Sequence, residues 1–145
     1  MLNFRLLAAC LLSFLFIQLV KADDVKAEFQ KMWNDVVMAV KEAETPIEKR
    51  EILNNFFDDM MEALTTAENS QLLNDEDLKG IDYLQKKITE QKNELNGLNG
   101  FEKVGDGQLN DFADYTLQEI EQADTVLTIS LTTLLLIIIL AILIF

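Results

Sequence analysis

Carboxylates are the reactive side chains this chain holds in quantity, 25 of them against 12 basic residues. Asp58, Asp59 and Glu62 lie close together, so paired-carboxylate chemistry is the first to weigh. Acid–base work by two carboxyls needs them in different environments, one of them desolvated. At about 100° per residue on a helix, these three fall on the polar side, opposite Phe56 and Phe57. They read as a solvated helix face.

Calcium is the second chemistry. Residues 102–113 match an EF-hand loop at Asp106, Gly107 and Leu109. Val104, however, stands where an oxygen ligand is needed, and Ala113 where the bidentate glutamate belongs. The window 75–86 fails in the same way, with Lys79 and Lys86 at ligand positions. No metal site and no cofactor is expected.

Other chemistries lack their residues. The chain has no histidine, which removes a histidine base, histidine-ligated zinc and a Ser-His-Asp triad. Cys10 is the single cysteine and Ser70 the single serine between residues 23 and 124. No glycine-rich phosphate loop follows a strand pattern. The expectation is a non-enzymatic protein.

Helical periodicity organises the middle of the chain. Over residues 24–44, Val25, Phe29, Met32, Trp33, Val36, Val37 and Val40 share one face, and Met38 points away. Thr45-Pro46-Ile47-Glu48 is a capping box with proline at the first helical position, which predicts a tight corner. The helix that follows, over 46–69, carries apolar residues around half its circumference and is expected to be central. Asn74 should cap a third helix. Asp75, Glu76 and Asp77 fill its first turn, and Asp75–Lys79 and Asp82–Lys86 are spaced for i,i+4 pairing. Glycines at 97, 100, 105 and 107 mark a loop before a fourth helix over 108–124. The fold class expected is all-α, a small antiparallel bundle of three to four amphipathic helices.

Both ends are hydrophobic. Residues 1–22 have the layout of a secretory signal peptide, with Arg5 ahead of an apolar run and Val20 and Ala22 placed for cleavage after Ala22. Residues 23–124 then form an acidic ectodomain. Without Arg5 and Lys21 it keeps ten basic residues against all 25 acidic ones, a formal −15. Such a charge repels nucleic acid and anionic lipid and suits a basic partner.

Residues 125–145 form a hydrophobic tail with two readings. As a retained transmembrane helix, 126–145 is long enough, since about 20 apolar residues span a bilayer, but no basic residue follows it. As a glycosylphosphatidylinositol attachment signal, it offers Ala123 and Asp124 as attachment residues, a spacer over 126–133 and an apolar terminus over 134–145. The anchor reading is favoured.

The function expected is a membrane-tethered binding, adhesion or accessory module at the extracellular face of the plasma membrane, engaging an unidentified protein partner. The alternative is an amphipathic lipid-binding protein. Its apolar binding face would be Phe56, Phe57, Met60 and Met61, which otherwise fill the core.

Overall fold

The computed structural model describes residues 22–126 and 129–144, apart from the side chains of 22–24, 121, 123–126 and 131. The expected signal peptide lies outside the described residues up to Lys21; Ala22, the expected cleavage residue, opens the first helix. Five α-helices are described: α1 (Ala22–Glu42), α2 (Pro46–Asn69), α3 (Asp75–Asn96), α4 (Leu109–Val126) and α5 (Leu131–Ile144). A 3₁₀ turn, Asp106–Gln108, leads into α4. No strand occurs among the described residues.

The all-α class is therefore as read from periodicity, but the helix number is not. The expectation of three to four helices omitted α5, which lies in the tail and packs against α2 and α1. The reason is physical. A helix apolar on every side has no hydrophobic periodicity, so no stripe in its sequence indicates a docking face.

α2 is central, packing against each of the other four α-helices. Leu53, Phe56, Phe57, Met60, Ala63, Leu64 and Ala67 are its buried residues. α1 contributes Val25, Phe29, Trp33, Val37 and Val40, while Met38 is exposed. Trp33 sits edge-on to Phe56, with ring centroids 4.4 Å apart. Its indole nitrogen is buried without a hydrogen-bond acceptor, so the packing of its rings outweighs that cost.

Local signals set the helix ends. The Thr45 hydroxyl accepts from the Glu48 N–H at 3.2 Å, and the Glu48 carboxylate accepts from the Thr45 N–H at 3.2 Å. The Asn74 side chain accepts from the N–H groups of Glu76 and Asp77, each at 2.9 Å. Gly97 ends α3 at φ 67°, where a Cβ would lie 2.7 Å from the Cβ of Lys103.

The α3–α4 loop is held from α2. The Arg50 guanidinium donates to the carbonyls of Leu95 and Val104, the latter at 2.7 Å, and to the Asp106 carboxylate at 3.1 Å. Asp106, considered above as a calcium ligand, instead holds this arginine. Ion pairs between helices add Lys41–Asp114, Lys87–Glu119 and Lys92–Asp58. The expected pairs Asp75–Lys79 and Asp82–Lys86 do not close. Exposed i,i+4 pairs return too little energy to hold two long side chains in place.

Candidate functional site: the α5 berth and its adjoining groove

α5 lies in the groove between α1 and α2 and runs antiparallel to α2. Its start lies beside Leu72 and Leu73, just beyond the end of α2, and Ile138 and Ile142 lie beside Ile52 near the beginning of α2. Leu134, Ile137, Ile138 and Ala141 are buried. The opposite side is open: Ile139, Ile142 and Leu143 are exposed, Leu143 to 76%.

A polar latch fixes the start of α5. Ser130 is its N-cap, with the hydroxyl accepting from the Thr133 N–H at 3.3 Å. The Asp77 carboxylate, from the first turn of α3, accepts the Ser130 N–H at 2.7 Å and the hydroxyls of Ser130 and Thr133 at 2.8 Å each. The Asn74 amide donates to the same carboxylate at 3.0 Å. Asp77 is 3% exposed. Burial pushes its pKa up, but the hydrogen bonds from the Ser130 backbone, the Thr133 and Ser130 hydroxyls and Asn74 outweigh burial and hold it below 3.8. Asp77 thus remains an anion and supplies negative charge at the positive end of α5.

Beside the latch, Gly80 of α3 admits Ile129. A Cβ at Gly80 would lie 2.5 Å from Cγ1 of Ile129. This glycine is a packing requirement and carries no unusual backbone angle.

Among the described residues the groove is not filled along its whole length. Alongside α5, an open stretch of about 390 Å³ is lined by Met32, Val36, Ala39, Ile52, Ile138 and Ile142, with Glu28 and Asp35 at its edge. Ala39 and Ile52 also line the next stretch toward the α1–α2 corner, where Glu42, Glu44, Glu48 and Glu51 join them. Among the described residues no lysine or arginine lines either stretch.

The residues singled out from sequence are placed as follows. Phe56, Phe57 and Met60 are at most 2% exposed and Met61 is half-buried against the core, so the first three are core residues in this state. Asp58 is exposed and pairs with Lys92; Asp59 is half-buried and Glu62 exposed. Ala123 and Asp124 fall in the last turn of α4, with their side chains outside the described ones.

One of the two tail readings needs correction. The transmembrane reading took 126–145 as a single apolar helix, but α4 continues to Val126 and α5 begins at Leu131. Ser130 and Thr133, read as spacer polarity, form the cap that starts a new helix. The 14 residues of α5 extend about 21 Å, against a hydrocarbon core of about 30 Å. Among the described residues no helix is long and apolar enough to cross a membrane.

Sequence reasoning also missed Asp77, Gly80 and Arg50. The signal for the first two was weak: a glycine inside an otherwise good helix, one turn after an acidic triplet. No protein-family model matches the chain, and no curated protein and no solved structure matches it.

Proposed function

We propose that the chain is a non-enzymatic helical binding module. It is delivered through the secretory pathway to the extracellular face of the plasma membrane and tethered there by its tail. The observation that carries this reading is α5, a helix apolar on all sides whose berth covers one side and leaves Ile139, Ile142 and Leu143 in the open. A helix of that composition is stable in a protein interior or in lipid, which suits a tail that is read at the membrane by its hydrophobicity.

The form of tether that suits this chain is a glycolipid attached near Ala123 or Asp124. A polar stretch with Ser130 and Thr133, followed by a short apolar terminus, has the layout of an attachment signal. Phosphatidylinositol-specific phospholipase C applied to intact expressing cells should release the protein. The mature form should lack peptides from 134–145 by mass spectrometry. Recovery of those peptides from the surface protein would replace the anchor with a retained tail.

The open groove supports a second reading, a lipid-binding protein in which an acyl chain occupies the apolar floor beside Met32, Val36 and Ile52. Lipid co-purifying with the chain and lost in a Val36→Asp variant would favour it.

A further inference from the structure

The α1–α2 groove already seats one helix, α5, and among the described residues it stays open beside Ile138 and Ile142. Its unfilled length has two properties that together specify an occupant. The floor is apolar, with Met32, Val36 and Ala39 of α1 at four- and three-residue steps and Ile52 of α2 opposite. One edge is a row of carboxylates. Glu28, Asp35 and Glu42 stand seven residues apart on α1, so they recur on one side of the helix at intervals of about 10.5 Å. Glu44, Glu48 and Glu51 close the far end. Among the row, Glu28 meets Lys31 at 3.8 Å, a pair with both side chains more than half exposed. Such a pair yields readily to a competing cation.

We propose that this groove is a docking site for a basic amphipathic helix of a partner protein. The occupant presents an apolar stripe to Met32, Val36, Ala39 and Ile52, and lysine or arginine at seven-residue intervals to Glu28, Asp35 and Glu42. This is the helix-in-groove mode of recognition, with anchors at i, i+3, i+4 and i+7. Charge selects against the other obvious occupant: a fatty acid carboxylate would meet the Glu28 and Asp35 edge with its own negative charge. The inference rests on the binding-module reading and names the chemistry of the partner; the residues that meet the occupant, on α1 and α2, all precede the tail, so they stay in the mature chain even where the tail, with Ile138 and Ile142, is removed.

The probe is a synthetic peptide of about 18 residues, enough to span the row at ~1.5 Å per residue. It carries leucines at i, i+3, i+4 and i+7 and lysines at i+1, i+8 and i+15, which recur along one edge of that stripe. It is titrated into the purified full chain. Binding is expected, and the double variant Asp35→Lys/Glu42→Lys should weaken it by about tenfold or more, as removal of close charge pairs does. A matched double variant far from the groove, Asp82→Lys/Glu102→Lys, changes net charge equally and should leave affinity within about twofold, because exposed distant charges are screened. Replacing the peptide's leucines by serine should abolish binding. Circular dichroism of each variant checks that the bundle is intact. Equal weakening by both double variants, or undiminished binding of the serine peptide, would reduce the effect to bulk charge and overturn the proposal. Displacement of the peptide by neutral phosphatidylcholine vesicles would assign the groove to lipid instead. The phospholipase release assay reads the tether separately, so failure of one leaves the other standing.

Discussion

The carboxylate of Asp77 accepts the backbone N–H of Ser130 at 2.7 Å, so a residue in the first turn of α3 holds the N-cap of α5. The two lie 53 residues apart in sequence. Asp77→Ala leaves the Ser130 N–H and two hydroxyls without their acceptor. It should destabilise the full chain by about 1–3 kcal/mol, the usual cost of orphaned buried polar groups. Amide exchange should accelerate first at 131–134. Unchanged exchange there would mean that packing alone holds α5.

The same residue sets the acid limit of α5 docking. Its pKa is depressed in the folded chain below 3.8, so its contribution is present above that value and is lost as pH falls through the folded pKa. α5 should therefore stay docked at neutral and mildly acidic pH and loosen only in stronger acid. Exchange at 131–134 followed against pH checks this, and in Asp77→Asn that acid step should disappear.

Gly80 and Ile129 should couple. Gly80→Ala gains about 1 kcal/mol of helix propensity but places a methyl 2.5 Å from Cγ1 of Ile129. In an Ile129→Ala background the clash is removed and the gain should emerge as added stability. A double-mutant cycle with zero coupling energy would show that the lead-in to α5 yields freely.

Phe57→Ala, at a fully buried position of α2, should cost about 3–5 kcal/mol. Asp58→Ala breaks an exposed pair with Lys92 and should cost less than about 1 kcal/mol. Urea unfolding of the two variants side by side tests the contrast.

Arg50 is the residue that ties the α3–α4 loop to α2. Arg50→Ala should cost about 1.5–3 kcal/mol, the scale of hydrogen bonds to a charged donor. Arg50→Lys should recover only part, because an ammonium lacks the planar fork that reaches two carbonyls and a carboxylate together. Full recovery in thermal unfolding would mean that charge alone matters at this site.

What the sequence made legible was local. Thr45, Pro46 and Glu48 act within one turn, and so do Asn74 and Gly97; the structure has all of these helix ends as read. The faces of α1 and α2 were legible because burial repeats at helical intervals, which also puts Met38 outside. The candidate site was not legible, for different reasons at each residue. Asp77 lies in an acidic triplet, where the first-turn dipole already accounts for a carboxylate. Ser130 and Thr133 lie where hydroxyls suit a spacer equally well. α5 has no polar face to orient it. In each case the deciding partner is more than 50 residues away, beyond what periodicity can register.

The ion pairs between helices have a consequence for ionic strength. Lys41, Lys87 and Lys92 bridge neighbouring helices within a segment whose formal charge is −15. Dissolved salt screens those few attractions, but it also screens the mutual repulsion of the many remaining carboxylates, and the second effect involves far more charge. Salt should therefore raise the melting temperature of this protein, the reverse of what a surface held together by its ion pairs would show.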